Sequence, residues 1–173
     1  RYVNALCKEI EGYKELAKEY EPATIYFGGG TPSVLSIPLL GQIMDVIQKS
    51  FSVNQAAEIT MEVNPGTVTA DKLKSYREMG INRLSIGVQS AKAEELNLLG
   101  RIHSFEDAKN TVQWAREAGF ENISLDLISA LPGQTLEIKD RIVYLDGVAN
   151  KEPDNVEYRY WVKVHKPIPD DLA

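Results

Sequence analysis

The sequence predicts an α/β protein built on a parallel β-sheet, open or barrel-like. Three observations lead there. Short runs rich in β-branched and aromatic residues alternate with segments whose apolar residues recur at helical spacing. The starts of those runs lie roughly 25–40 residues apart, the size of a βαβ unit. Several runs also stop at glycine or at polar residues, the composition expected at the carboxyl ends of strands, where parallel α/β folds bind ligands.

The elements follow in chain order. Residues 2–20 carry Val3, Leu6, Ile10 and Leu16 with charges between them, predicting a first helix. Thr24-Ile25-Tyr26-Phe27 is a strand. Ser36 is placed to cap a helix over 37–50 with Leu40, Ile43, Val46 and Ile47 on one face. Glu58-Ile59-Thr60-Met61-Glu62-Val63 alternates as a strand, and Asn64-Pro65-Gly66 ends it. Thr69 caps a short helix carrying Leu73, Tyr76 and Met79, with Gly80 to stop it. Arg83–Val88 is the next strand, and a helix over 92–99 presents Leu96 and Leu99. Ser104-Phe105-Glu106-Asp107 resembles a capping box, opening a helix with Ala108, Val112 and Ala115 inward and Gly119 at its end. Asn122–Ile128 is a strand, Leu131-Pro132-Gly133 a loop, and Leu136, Ile142, Leu145 and Val148 mark a helix. The last strand-like segment runs from Asn155 to Val164. One domain over residues 1–173 is expected.

The 173 residues carry a formal net charge of −6, against a general nucleic-acid role. No apolar run approaches the ~20 residues of a membrane span, and the opening Arg1-Tyr2-Val3-Asn4-Ala5-Leu6 has no signal-peptide pattern. A cytoplasmic location is expected. The single cysteine, Cys7, excludes an intrachain disulfide and any multi-cysteine metal site made by this chain alone. Beside Leu6 and Ile10 it reads as a core thiol. Trp114 and Trp161 read as packing residues.

Gly28-Gly29-Gly30 is the most informative segment. Three adjacent glycines are entropically costly to order, and a chain accepts that where bare backbone must approach a ligand. The run is not a P-loop, because Thr31-Pro32 follows and no lysine is present to reach a phosphate. It is not a dinucleotide fingerprint either, because Ser33 stands where the third glycine belongs. A turn needing only positive φ is the simpler alternative.

Polar groups at or near the strand ends form a set: Gly28–Thr31, Glu62, Gln89, Arg101 and Asp126. A backbone amide cradle, two carboxylates, an amide and a guanidinium suit a zwitterionic, hydroxyl-rich ligand. The amides and Arg101 can hold a carboxylate; Glu62 or Asp126 can take an ammonium or ribose hydroxyls; Gln89 can read a polar edge. Each has a plainer alternative. Glu62 can pair with a neighbouring strand's base, Gln89 can cap a helix, Arg101 can lie on the surface, and His103 can be a capping residue. Asp126, between Leu125 and Leu127, faces away from them, where an unpaired carboxylate would be costly.

Five strings carry a resemblance: Tyr26-Phe27-Gly28-Gly29-Gly30-Thr31-Pro32-Ser33, Glu62-Val63-Asn64-Pro65-Gly66-Thr67, Gly80 through Ser90, Leu99-Gly100-Arg101-Ile102-His103, and Asp126-Leu127-Ile128 with Leu131-Pro132-Gly133-Gln134-Thr135. In this order and spacing they resemble the radical S-adenosylmethionine proteins of the oxygen-independent coproporphyrinogen III oxidase group, with the Leu-Gly-Arg-Ile-His and Asn-Pro-Gly-Thr strings most like its haem-chaperone branch. The resemblance covers residues 1–137 strongly and is weaker beyond.

The resemblance implies a partial parallel (β/α)6 barrel without its first strand, binding S-adenosylmethionine and a 4Fe–4S cluster. It implies that Gly29, Gly30 and Thr31 contact the methionine moiety and that Glu62 binds the first S-adenosylmethionine. Gln89, Arg101 and Asp126 match positions that hold a second one in the oxidase branch. The implied function is a haem chaperone passing haem to client proteins; the alternatives are an oxidative decarboxylase of coproporphyrinogen III or an inert scaffold. Haem or a porphyrin is then a further candidate ligand; the sequence identifies no residue that binds its iron, and Cys7, His103 and His165 are candidates by chemistry alone. The family's Cys-x3-Cys-x2-Cys motif and C-terminal domain are not in this sequence. Cys7 cannot replace three thiolates, and no catalytic or metal residue is assigned. Ala91 and Ser129-Ala130 also depart from the family pattern.

Overall fold

The computed structural model describes residues 1–128, Leu131 and the strand residues Val162–Lys163. Helix α1 spans Tyr2–Gly12 and is followed by a 3₁₀ turn at Leu16–Glu19. Strand β1 is Thr24–Phe27, helix α2 Ile37–Ser50 and strand β2 Glu58–Val63. Helix α3 is Ala70–Glu78 and strand β3 Arg83–Gln89. Helices α4, Ala93–Leu98, and α5, Phe105–Glu117, lead to strand β4, Asn122–Ile128. A two-residue strand, β5, is Val162–Lys163. The expected loop from Pro132 and helix around Leu136–Val148, the rest of the last strand, Trp161 and His165 lie outside the described residues.

The sheet order is β1-β2-β3-β4-β5 and every pairing is parallel. A doubly wound fold reverses direction after its first strands. Here each strand adds beside the last, the progression of a (β/α) barrel wall. Strand β1 has no partner on its outer edge among the described residues.

Alternation decides the two faces. Ile59, Met61 and Val63 of β2 and Leu84, Ile86 and Val88 of β3 are buried with Leu40 and Met44 of α2, Leu73 and Tyr76 of α3, and Ala108 and Ala115 of α5. Each fully buried aliphatic side chain contributes roughly 1.5–3 kcal/mol, so this face is the main source of stability. A smaller cluster, Val3, Cys7 and Ile43, joins α1 to α2.

The opposite parity is mostly polar, with Thr24 and Tyr26, Glu58, Thr60 and Glu62, Arg83 and Ser85, and Asn122, Ser124 and Asp126; Gly87 and the strand-end Ile128 are the exceptions. A sheet face built this way has not been designed to pack under a helix.

Local signals set most boundaries. Thr69 caps α3 through the Lys72 amide, and Ser104 and Asp107 form the reciprocal capping box of α5. The glycines that end α3 and α5, Gly80 and Gly119, have φ of 94° and 88°. Ser36 occupies the N-cap of α2 but its side chain makes no capping bond. The first helix is shorter than its spacing predicts. It ends at Gly12 and Leu16 is 57% exposed, so the apolar repeat stops with Ile10. Glycine at that point weakens the helix just where the buried stripe runs out.

Candidate functional site

The carboxyl ends of β1 and β2 meet in one hydrogen-bonded unit. The Tyr26 hydroxyl donates to Glu62 Oε1 at 2.7 Å, and the Gly29 amide donates to Glu62 Oε2 at 3.2 Å. Both carboxylate oxygens are therefore oriented by donors from the glycine loop and its strand. Gly29 and Gly30 adopt φ of 83° and 62°, left-handed conformations that other residues resist. Gly28 serves differently. A Cβ there would lie 2.4 Å from the Tyr26 ring and 3.1 Å from Glu62 Cδ, so bare backbone is what lets the two side chains meet.

The glycine loop is clamped from below. The Ser33 hydroxyl shares a hydrogen bond with Thr67 Oγ1 at 2.6 Å and accepts from the Asn64 amide at 3.1 Å. Its carbonyl accepts from Lys72 Nζ at 2.5 Å and from the Tyr76 hydroxyl at 3.4 Å. Lys72 also donates to the Thr67 carbonyl at 3.2 Å. Burial holds the Lys72 ammonium below its usual range and pushes the Tyr76 phenol up to about 12. Ser33 is fully buried. The loops after β1 and β2 are thus one rigid piece, built on α3.

Asp126 projects from β4 on the same polar face, and Ser85 of β3 donates to its Oδ2 at 2.7 Å. Burial raises its carboxyl above the usual range; Ser85 opposes that, the Glu62 charge adds to it, and Arg83 opposes it. Lower on this face, Arg83 spans three strands. It donates to Glu58 Oε1 and Thr60 Oγ1, each at 3.3 Å, and to Ser124 Oγ at 2.9 Å. Asn122 donates to the other Glu58 oxygen at 3.4 Å.

The Asp126 shift has a consequence for pH. Below the unfolded-state value near 3.8 both states are protonated and the group is neutral to stability. As pH rises from there through the raised folded-state value, ionisation costs the folded state more than the unfolded one, and stability falls. Asp126→Asn keeps an acceptor for Ser85 and removes that penalty. Urea denaturation is expected to show the variant more stable than the parent at about pH 7 and equal to it at about pH 3.

Gln89 ends β3 after a one-residue register shift, with φ of 68°. Its amide folds back over Gly87, where an added Cβ would lie 2.7 Å from Gln89 Nε2. Arg101 follows Gly100, itself at φ 63°, and its amide donates to the Leu96 carbonyl at 2.9 Å. The loop is seated against Gly66, whose added Cβ would meet Ile102 at 3.6 Å and His103 at 3.7 Å. Arg101 Nε is buried without a hydrogen-bond partner, and no hydrogen bond or ion pair joins Arg101 to Glu62 or Asp126 among the described residues.

The structure thus joins Glu62 with Gly29, puts Asp126 on the same face, and sets Gln89 at the end of β3 and Arg101 on the loop after α4. Gly30 and Thr31 continue the glycine loop; the Thr31 carbonyl accepts from the Val34 amide at 3.1 Å. Sequence reasoning missed Tyr26, Ser85 and the Ser33 clamp. The signal was parity: Tyr26 alternates with Ile25 and Phe27, and Ser85 with Leu84 and Ile86.

A donor set for an iron–sulfur cluster is not present among the described residues, which contain no group of three or more His, Cys, Asp or Glu able to hold a metal. Cys7 is buried between α1 and α2. His103 is 3% exposed, with Nε2 against the Val88 carbonyl at 3.2 Å. Cys7, expected to be a core thiol, is 5% exposed, and His103 Nδ1 is buried without a hydrogen-bond partner; His165 lies outside the described residues. No helix among the described residues is long and apolar enough to cross a membrane.

Comparison with known proteins adds to this geometry. The model of the radical SAM superfamily matches residues 8–145. The chain is 43% identical over 136 residues to the heme chaperone HemW of Escherichia coli, covering 79% of this chain and 36% of that protein. It is 45% identical over 139 residues to the heme chaperone HemW of Bacillus subtilis, covering 79% and 36%. The chain therefore spans about a third of the length of these relatives. Among solved structures, coproporphyrinogen III oxidase (HemN) from Escherichia coli, described as a radical SAM enzyme, superposes with a TM-score of 0.80 at 32% identity, covering 99% of this chain and 40% of that one.

Proposed function

The chain belongs to the radical SAM superfamily, and from that membership we propose that it forms the S-adenosylmethionine-binding core of a haem chaperone. The superfamily is defined by S-adenosylmethionine and a 4Fe–4S cluster; among the described residues there are groups that suit the first and no ligand set that suits the second. The observation that carries the proposal is the Glu62 carboxylate, held between the Tyr26 hydroxyl and the Gly29 amide. An oriented anion beside a left-handed glycine loop suits an α-amino acid. Glu62 takes the ammonium, and the Gly29-Gly30-Thr31 backbone lies along the methionine moiety. Asp126, on the same polar face, resists ionising there, and a cationic ligand would relieve that resistance. Gln89, Arg101 and Asp126 line the position of a second S-adenosylmethionine or of the adjoining substrate.

Haem as the cargo is supported by the relatives named heme chaperone at 43% and 45% identity. Client proteins would receive it. The likeness to coproporphyrinogen III oxidase over 99% of the chain supports a second reading, oxidative decarboxylation of a porphyrinogen propionate. Two assays on the full-length protein separate them. Hemin titration is expected to give a shifted Soret band at stoichiometric haem, with transfer to an apo-haemoprotein. The absence of any shift, together with vinyl product from coproporphyrinogen III under reducing conditions, would replace the chaperone reading with the oxidase one.

A further inference from the structure

We infer that Tyr26 is a positioning residue that fixes the Glu62 carboxylate for the ligand's ammonium group, and that Gly28 is the gap in the backbone that permits it. The inference rests on the reading of Glu62 given above.

Three observations support it. The Tyr26 hydroxyl reaches Glu62 Oε1 at 2.7 Å while the Gly29 amide reaches Oε2 at 3.2 Å. A carboxylate has about four lone-pair positions, so each oxygen keeps acceptor capacity after its internal bond is made. The group is oriented but not exhausted, the state an ammonium-binding carboxylate requires. Second, Tyr26 and Gly28 share one strand parity, and an added Cβ on Gly28 would lie 2.4 Å and 2.9 Å from two atoms of the Tyr26 ring. The ring lies across the backbone at that point. Third, the residue is 57% exposed, so core burial does not account for a tyrosine here. Its hydroxyl remains a donor across the working pH range, because partial burial and the adjacent Glu62 push the phenol up to about 12.

Tyr26 touches no reacting atom in this account; it acts through Glu62. The test therefore compares two ligands on the full-length, cluster-reconstituted protein by anaerobic equilibrium dialysis. S-adenosylmethionine carries the ammonium group. Methylthioadenosine shares its adenosine and sulfur and lacks the amino acid. Tyr26→Phe is expected to weaken S-adenosylmethionine about 10-fold, the cost of one hydrogen bond to a charged group, and to leave methylthioadenosine unchanged. Adding Tyr26→Phe to Glu62→Gln is expected to cost less than about 2-fold further, since both changes remove one coupled unit. An unchanged S-adenosylmethionine affinity, equal weakening of both ligands, or simple additivity with Glu62→Gln would overturn the inference. If Glu62→Gln itself has no effect, the reading of Glu62 fails first; if Glu62→Gln weakens binding and Tyr26→Phe does not, only the positioning role fails.

Discussion

Glu62→Gln is expected to weaken S-adenosylmethionine binding to the full-length protein about 30- to 100-fold, or roughly 2–3 kcal/mol. Glutamine has the shape of glutamate and retains a carbonyl oxygen for the Tyr26 hydroxyl. The glycine loop and the β1–β2 pairing are therefore preserved, and what disappears is the charge. A hydrogen bond between an ammonium and a carboxylate is about twice as strong as a neutral one, and the partly buried setting limits the water that could replace it. Chemical denaturation is expected to show little change, because Glu62 lies outside the apolar cluster formed by Met61 and Val63 on the other face of the same strand. Isothermal titration reads the binding term. Wild-type affinity in the variant would remove Glu62 from the site.

Gly28→Ala is expected to have a comparable effect by a different route. The new methyl would collide with the Tyr26 ring at 2.4 Å and crowd Glu62 Cδ at 3.1 Å. Because Tyr26 is 57% exposed, its ring can swing toward solvent, and folding stability should fall by only about 1 kcal/mol. The swing removes the hydroxyl from Glu62 Oε1, and the methyl displaces the carboxylate from the Gly29 amide. Losing both orienting contacts should weaken S-adenosylmethionine about 10- to 100-fold. Calorimetry and denaturation on the same variant separate the two terms. A large loss of stability with unaltered affinity in the folded fraction would show that Gly28 serves only the fold. The neighbouring glycines contrast with it: Gly29 and Gly30 have open space around an added Cβ, and their need is positive φ.

The strands were legible because two signals coincided at each. Alternation in Glu58–Val63, Arg83–Gln89 and Asn122–Ile128 separates an apolar from a polar face, and a turn residue or glycine ends most of them. Helix α1 was overrun because Leu16 continues the spacing past Gly12, and spacing alone cannot tell a buried leucine from one that is 57% exposed. At the site, the Gly29–Glu62 pairing was legible as chemistry but not as contact. Tyr26 was hidden because an aromatic residue in a strand ordinarily signals packing, and only its parity relative to Ile25 and Phe27 betrays the polar side. The left-handed Gln89 could not be read at all: nothing in Val88-Gln89-Ser90 announces a bulge, and glutamine rarely adopts φ of 68°. His103 reads from the sequence as a loop or capping residue, and its burial against the Val88 carbonyl depends on a contact 15 residues away that no local pattern announces.

A structure of the full-length protein with S-adenosylmethionine bound tests the central claim most directly. The methionine ammonium is expected within hydrogen-bond distance, about 2.7–3.2 Å, of Glu62, with the Tyr26 hydroxyl still on the same carboxylate and the methionine moiety along Gly29-Gly30-Thr31. An ammonium held elsewhere, with Glu62 still closed on Tyr26 and Gly29 and no ligand atom against it, would contradict it.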